Sequence, residues 1–275
     1  MEQACTDYAR FSSENLTFSH VCYHTARQFP PHIHDVCELL YVKRGSITYT
    51  VESRVYHLAR NSLILSRPLS LHAVSSESSA QYERSNILLD EKILAPELFA
   101  RIPAGLDVIT FDDDAIIPDL FRKMDYYCGR FEDALLRPLL EDLAREILYN
   151  VLIASGENER SRASAVNPLL DQAVTTIERN LTRPMSVEGI CAELHVARSH
   201  LHHLFVQHLG ISPKQYMLTK RLALAQRELR AGVKPTQVFL DCGFSDYSTF
   251  FRDYKRAFGR TPSQEMERPV RVTEP

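Results

Sequence analysis

Two histidines and a glutamate near the start of the chain have the side chains and the spacing of a metal or ligand site. His32, His34 and Glu38 occur in the run HIHDVCELLYVKRG, residues 32–45. Alternate side chains of a β-strand point to the same face, so all three are expected to share one face. Imidazole and carboxylate groups can coordinate a divalent metal, or they can hydrogen-bond a polar ligand. The residues alone leave both alternatives open.

The last part of the chain contains a run whose side chains suit contact with nucleic acid. In GFSDYSTFFRDYKRAFGRTP, residues 243–262, aromatic residues recur at helical spacing and predict one buried face. The opposite face offers groups that can hydrogen-bond base edges or neutralise phosphates: Tyr247, Ser248, Thr249, Arg252, Lys255, Arg256 and Arg260. A charged helix face is more often simply solvated. A similar unit at residues 186–205 favours the nucleic-acid interpretation.

The first half of the chain has the pattern of short antiparallel strands. Between residues 16 and 112, apolar runs such as 39–42 and 61–66 are separated by turn residues. Many short strands at this spacing predict an antiparallel β-barrel or sandwich. Residues 1–15 precede the pattern and are predicted to form an N-terminal arm.

Helical periodicity replaces the strand pattern after residue 112. Residues 113–155 carry a leucine-rich stripe, which predicts a helical segment that packs on the barrel and is long enough to pair with a second copy. Residues 156–167 are polar and predict a linker. Residues 168–268 predict an all-helical domain. The chain is therefore expected to have an α+β two-domain fold.

The all-helical part contains one arrangement twice. Ser186 is a good N-cap for a short helix, a turn follows at His195, and a second helix runs from about residue 198 to 208. This is the layout in which a second helix enters a DNA major groove. The arrangement recurs after Pro235, with Gly243 at the turn, where a positive φ is expected.

Composition and charge narrow the function further. The 275 residues are 44% hydrophobic and 24% charged, which suits two folded domains. Residues 1–165 carry 17 Lys and Arg against 24 Asp and Glu, whereas residues 166–275 carry 15 against 11. Only the second part is therefore expected to meet a polyanion. The sequence lacks a membrane-span or secretory pattern, and six scattered cysteines indicate reduced thiols in a cytoplasm.

The C-terminal motifs resemble the AraC/XylS family of bacterial transcription regulators. The resemblance covers residues 168–268. It is carried by SVEGICAELHVARSHLHHLF (186–205), LGISPKQYMLTKRLALAQREL (209–229) and GFSDYSTFFRDYKRAFGRTPSQE (243–265). It implies two helix-turn-helix units joined by one long helix. The two reading helices would enter successive major grooves, which lie about 34 Å apart.

The resemblance also implies which residues contact DNA. The base-reading positions fall on Ser199, His202, His203, Tyr247, Ser248, Thr249 and Arg252. The expected phosphate contacts are Lys214, Lys255 and Arg256. Arg252 is the strongest candidate, because an arginine can donate two hydrogen bonds to guanine. The first unit departs from the family at Ala197, where a capping serine is common.

The N-terminal half resembles the sensor domain of the same family, a cupin-type or jelly-roll barrel. His32, His34, Glu38 and Gly45 match the first cupin motif, and His72 falls where a second motif places its histidine. Arg60, Asn61 and Ser62 replace the turn of that second motif. The implied ligand-binding residues are His32, His34, Glu38, Tyr41 and His72. The alternative is a divalent metal held by His32, His34, Glu38 and His72.

The leading hypothesis is a ligand-responsive transcription regulator. The family resemblance favours an activator that senses a small polar molecule, with sugars the commonest expectation, and that requires no cofactor. Promoter DNA, RNA polymerase and a second copy of the chain are the expected partners. The alternatives are a metal-dependent cupin enzyme, an oxygenase or isomerase, and a metal-sensing regulator. The paired helix-turn-helix units argue against an enzyme.

Overall fold

Two antiparallel sheets form the first half of the molecule. The structure, a computed structural model, describes residues 5–76, 81–112, 115–157, 164–165, 167–183 and 185–267. Its strands are β1 (Cys5–Ser12), β2 (Leu16–Tyr23), β3 (Gln28–His32), β4 (Cys37–Arg44), β5 (Ile47–Val51), β6 (Arg54–Leu58), β7 (Ser62–Ser66), β8 (His72–Ser76), β9 (Tyr82–Leu89), β10 (Val108–Thr110) and β11 (Ser164–Ala165). One sheet has the order β1-β2-β9-β4-β7-β10 and the other β11-β6-β5-β8-β3.

The space between the two sheets is filled by alternate side chains of the strands. Leu40 and Val42 of β4 and Tyr49 of β5 are buried there with Ile64 and Val74. The predicted alternation in β5 is confirmed, because its inward residues are buried and Thr48 and Thr50 are not. The barrel predicted from the strand pattern is therefore confirmed.

Two predicted boundaries are wrong. Residues 5–12, expected in an N-terminal arm, form the edge strand β1, paired with β2 because Ala9 and Phe11 bury their side chains in the core. Residues 1–4 lie outside the described residues. In the predicted linker 156–167, Ser164 and Ala165 pair with Val55 and Arg54 of β6. Residues 158–163 and 166 lie outside the described residues.

Helices cover the outer face of the six-stranded sheet. They are α1 (Glu91–Leu94), α2 (Pro96–Arg101), α3 (Ile116–Tyr127) and α4 (Asp133–Glu157). The leucine-rich stripe of α4 is buried against this sheet at Leu136, Leu140 and Ile147. The prediction that the stripe packs on the barrel is confirmed.

The second half is all-helical, as predicted. It contains α5 (Pro168–Arg179), α6 (Val187–Glu193), α7 (Arg198–Leu209), α8 (Pro213–Arg230), α9 (Pro235–Asp241), α10 (Tyr247–Phe258) and α11 (Pro262–Met266). One core surrounds Leu201, Phe205 and Tyr216, and a second surrounds Phe250 and Tyr254. These are the cores of the first and second helix-turn-helix units. Within the described part of the chain, no helix is both long and apolar enough to cross a membrane.

Side-chain caps and tight turns define helix ends in both helix-turn-helix units. The Ser186 hydroxyl accepts a hydrogen bond from the Gly189 N–H at 3.1 Å, and the Asp246 carboxylate accepts one from the Thr249 N–H at 2.6 Å. Ala197 gives α7 no side-chain cap, as its type dictates. His195 and Gly243 turn the chain between helices with φ of 54° and 77°. Gly243 therefore has the predicted positive φ.

Gly243→Ala is expected to destabilise the second unit by more than its φ alone requires. A Cβ at Gly243 would lie 2.7 Å from the Leu181 carbonyl oxygen, whereas one at Gly232, which has φ 85°, would have no atom within 4 Å. The left-handed conformation alone costs a residue with a Cβ about 1–2 kcal/mol. Gly232→Ala should show that loss, and Gly243→Ala about 3 kcal/mol or more in denaturant unfolding. Equal losses would contradict the close approach.

Candidate functional site

The two reading helices begin on one side of the helical domain. A cleft of about 430 Å³ between the two units is lined by Arg198 at the start of α7 and by Asp246 and Thr249 at the start of α10. Lys214 and Arg221 of α8 line the same cleft. The 18 residues of α8 span about 27 Å. Reading helices contact base edges with their N-terminal residues. The N-terminal ends of α7 and α10 both line this cleft, so both face the same side of the domain.

The expected base-reading residues of the first unit are exposed. Ser199, His202 and His203 all point away from the core, while Leu201 and Phe205 of the same helix are buried. The helical period thus separates a packing face from a polar face. Arg198 forms an exposed ion pair with Glu188 at 2.8 Å, so it must leave this carboxylate before it can contact a DNA phosphate.

Three of the four expected base-reading residues of the second unit are exposed. These are Ser248, Thr249 and Arg252. The Arg252 guanidinium makes long contacts within its own helix, 3.3 Å to Thr249 Oγ1 and 3.4 Å to the Ser248 carbonyl oxygen. Such contacts are weak and can be replaced by bonds to a base.

Tyr247 differs from the other three. Its side chain is half-buried, and its ring packs edge-on against Phe239 with centroids 5.4 Å apart. The core of the second unit therefore includes this ring. Base contact by Tyr247 stays a prediction.

The expected phosphate contacts are all exposed cations on the helical domain. Lys214 lies in the first turn of α8, and Lys255 and Arg256 lie in the last turn of α10. Arg256 is paired with Asp253 at 2.5 Å. An exposed pair of this kind contributes little to stability, so Arg256 can leave the Asp253 carboxylate and bind a phosphate at small free-energy cost.

In the barrel, four sequence-predicted residues meet in one cluster. His32, His34, Glu38 and His72 each place one potential ligand atom within 4.8 Å of the others. His32 is half-buried and the other three are buried. They come from β3, the segment that follows it, β4 and β8. We call this group the four-residue cluster.

Backbone carbonyls orient two of the imidazoles. His32 Nδ1 lies 2.8 Å from the Pro30 carbonyl oxygen, and His72 Nδ1 lies 3.0 Å from that of Ser70. A carbonyl oxygen only accepts, so both Nδ1 atoms carry a proton and donate it. Each Nε2 is thereby directed to the cluster. The same arrangement of a backbone acceptor behind the imidazole is usual for histidines that bind metals.

Electrostatics within the cluster favour an ionised Glu38. Burial alone would raise the pKa of Glu38, but the imidazole of His72, 2.9 Å away, and that of His34 lower it below its ordinary value. Burial tends to lower the pKa of His72, but contact with Glu38 raises it above 6.5. Burial lowers the pKa of His34 to about 4. Glu38 is thus a carboxylate that contacts His72 and lies beside a neutral His34.

One buried nitrogen of the cluster is available to a ligand. Among the residues that the structure describes, His34 Nε2 has no hydrogen-bond partner. It lies 3.8 Å from Glu38, whereas His72 Nε2 contacts the Glu38 carboxylate at 2.9 Å. Buried polar atoms without partners are uncommon and often indicate a bound group.

The structure contradicts the expected ligand contact of Tyr41. The Tyr41 ring stacks on Phe121 of α3 with centroids 4.7 Å apart, and its hydroxyl donates to Asn61 Oδ1 at 2.8 Å. Tyr41 is three residues from Glu38 in one strand, so the two side chains point to opposite faces. Tyr41 belongs to the core under the helices and does not line the barrel.

Arg84 is a charged residue near the cluster that the sequence interpretation missed. It pairs with Val42 across β9 and β4 and so shares the face of Glu38. Its guanidinium lies over the Phe29 ring, 4.5 Å from the centroid, and its positive charge lowers the pKa of His34. The signal in the sequence was an arginine inside the apolar strand Tyr82–Leu89.

Comparison with known proteins gives a consistent result for both halves. A family model described as "AraC-like ligand binding domain" matches residues 16–106, and one described as "Helix-turn-helix domain" matches residues 190–268. The chain is 26% identical over 254 residues to the HTH-type transcriptional activator RhaR of Escherichia coli, covering 86% of each chain.

Two solved structures are also similar. ToxT from Vibrio cholerae is 14% identical with a TM-score of 0.40, over 92% of this chain and 98% of ToxT. A transcriptional regulator with an AraC-type DNA-binding domain from Chromobacterium violaceum is 36% identical. That match covers 36% of this chain and 89% of the other, with a TM-score of 0.34.

The low pKa of His34 predicts acid sensitivity of the metal-free barrel. The pKa of His34 is about 4 in the folded chain and 6.5 ordinarily, so the unfolded state binds the proton more readily. Above pH 6.5 His34 does not reduce the free energy of unfolding. As the pH falls from 6.5 towards 4, the free energy of unfolding should decrease by on the order of 3 kcal/mol, because the unfolded state takes up the proton.

His34→Gln should therefore flatten the fall in unfolding free energy between pH 6.5 and 4, measured with a chelator present. His203→Gln, at an exposed histidine, should keep the wild-type profile. An unchanged profile in His34→Gln would show that the burial of His34 has no such effect.

Proposed function

The chain belongs to the AraC family of bacterial transcription regulators, and from this premise we propose that it activates transcription in response to a small polar molecule bound in its barrel. The observation that carries the DNA-binding part is the shared cleft. Arg198, Asp246 and Thr249 place the starts of both reading helices on one surface. Two such helices joined by α8 suit two successive major grooves of one promoter.

The barrel supports binding of an effector rich in hydrogen-bonding groups. The four-residue cluster supplies buried imidazoles and an ionised carboxylate, and Arg84 adds a cation near it. A few convergent polar groups in an apolar barrel are typical of ligand sites. Sugars and polyols fit this chemistry, because their hydroxyls both donate and accept. A thermal-shift screen with sugars and polyols tests the effector, since binding to the folded state raises apparent stability.

A divalent metal at the four-residue cluster is the second candidate ligand. Three imidazoles and one carboxylate suit nickel, zinc, iron or manganese. The buried Nε2 atom of His34, which has no hydrogen-bond partner among the described residues, favours it. The backbone carbonyl groups that accept hydrogen bonds from His32 and His72 also favour a bound metal. A bound metal would supply a Lewis acid for oxygen atoms of a polar effector. Metal ions and protons would compete for the imidazole of His72.

Three further features complete the proposal. Leu135, Tyr149 and Ile153 are exposed apolar residues on α4, which supports a homodimer formed through this helix. An activator of this family is expected to contact RNA polymerase and to act in the cytoplasm. The cupin-enzyme alternative is not favoured, because the similar proteins are transcription regulators.

Arg252→Ala is expected to reduce sequence-specific DNA binding selectively. On an operator selected from random DNA, loss of a bidentate contact to guanine should cost about 1–3 kcal/mol. Binding to unrelated DNA should change little. Equal losses on both DNAs would contradict base reading by Arg252.

Lys255→Ala is the matched comparison on the same helix. Removing a phosphate contact should weaken binding to both DNAs alike and should reduce the slope of log affinity against log salt by about 1. A loss confined to the selected operator would contradict the phosphate assignment.

Co²⁺ should bind once per chain to the four-residue cluster. Titration of chelator-treated protein, followed by visible absorption, should show saturable binding that weakens from pH 8 to pH 6, because protons compete for the histidines. His32→Ala should weaken binding by about tenfold or more. His203→Ala, at an exposed histidine of α7, should bind as the wild type does. Equal binding by His32→Ala would reject the site.

A further inference from the structure

The segment that carries His32 and His34 also contacts the helical domain. Its alternate residues point the other way. Pro31 lines a cavity of about 140 Å³ together with His208 and Gly210 at the end of α7. Ile33 packs against the core of the first helix-turn-helix unit. One face of residues 31–35 therefore belongs to the four-residue cluster and the other to the DNA-binding domain.

Asp35 continues this second face to the far end of α8. Both of its carboxylate oxygens accept hydrogen bonds from Arg230 Nη1, at 2.9 and 2.7 Å. Arg230 also donates to Glu265 of α11 at 2.9 Å, within the second unit. The segment thus contacts both helix-turn-helix units.

The residue before His72 also contacts the helical domain. Leu71 is 3% exposed and lies in the core of the first helix-turn-helix unit, although it belongs to the barrel. The Leu71 N–H donates to Glu52 Oε1 at 2.8 Å. The Glu52 carboxylate in turn accepts from Lys220 Nζ at 2.7 Å and from the Tyr216 hydroxyl. Both donors lie on α8.

His34 reaches the same lysine through the backbone. Its carbonyl oxygen accepts from the Leu69 N–H at 2.7 Å, and the Leu69 carbonyl oxygen accepts from Lys220 Nζ at 2.7 Å. Lys220 also pairs with Glu178 of α5 at 2.8 Å. A single buried ammonium group therefore bonds two barrel loops that are attached to cluster residues.

The two barrel residues bonded to Lys220 have unusual backbones. Glu52 has φ 49° and Leu69 has φ 66°. Residues other than glycine rarely adopt this left-handed conformation, and it persists only where surrounding contacts hold it. The bonds to Lys220 are such contacts. The docked position of α8 and the shape of the loops beside the cluster are therefore mutually dependent.

We propose that residues 31–35 and 69–72, with Glu52 and Lys220, couple metal binding at the four-residue cluster to docking of the DNA-binding domain. The inference rests on the proposed metal site. In the docked arrangement the four ligand atoms already lie within 4.8 Å of one another. Metal binding and docking therefore stabilise each other, and by linkage each raises the affinity of the other by the same factor.

Co²⁺ affinity of α8 variants in the full chain tests this coupling. Lys220→Met removes the shared cation without touching the cluster and should weaken Co²⁺ binding by about fivefold or more. Tyr216→Phe, a milder change, should weaken it in the same direction. Lys234→Met is the control, since Lys234 is an exposed lysine at the start of α9, and it should bind Co²⁺ as the wild type does.

The possible failures have different signatures. Wild-type Co²⁺ affinity in Lys220→Met and Tyr216→Phe, both folded by circular dichroism, would overturn the coupling while leaving the metal site intact. If Lys220→Met does not fold, Tyr216→Phe alone decides. Absence of Co²⁺ binding by the wild type would reject the metal site and, with it, the coupling.

Discussion

Lys220, a residue only 5% exposed, lies between the barrel and the helical domain, and its ammonium group bonds to Glu52, Glu178 and the Leu69 carbonyl oxygen. Burial alone would lower the pKa of Lys220, but the two carboxylates raise it above its ordinary value, so the group stays charged. Burial and the nearby Glu52 raise the pKa of Tyr216, which keeps its hydroxyl as a donor. Removing one member of such a buried set leaves an uncompensated charge and typically costs about 3–5 kcal/mol.

The position of Lys220 on α8 gives this interaction its wider consequence. Helix α8 joins the two helix-turn-helix units and so sets the spacing of their reading helices. The barrel contacts α8 in its first half, through Tyr216 and Lys220, and again at its end, through Arg230. A ligand that alters the barrel loops therefore acts on the one helix shared by both units. A change of this kind requires different ligand affinity in two arrangements of the domains.

Local signals in the sequence were sufficient for most of the fold and for part of the site. The caps at Ser186 and Asp246 and the positive φ of Gly243 follow from residue type and position. The sequence correctly groups His32, His34 and Glu38, but the reason differs from strand alternation, because they lie on β3, the segment after it and β4, in two different sheets. Alternation along β4 does exclude Tyr41, three residues from Glu38. The edge strand β1 was missed because only Ala9 and Phe11 of its eight residues are buried.

The contacts between the domains could not be predicted in this way. Glu52 and Lys220 are separated by 168 residues, and Asp35 and Arg230 by 195. No periodicity relates residues at such distances. Each is a charged side chain in a segment that alone would leave it solvated, and only the tertiary packing buries it. The left-handed backbones of Glu52 and Leu69 are likewise imposed by the packing.

These buried charges hold the two domains in one arrangement. Double electron–electron resonance can measure that arrangement as the distance between spin labels at Glu97→Cys on α2 and Gln207→Cys on α7, with Cys5 and Cys128 replaced by serine. Both label sites are exposed. We expect one narrow distance distribution, which broadens when Lys220→Met is added. A broad distribution that is the same with and without Lys220 would contradict it.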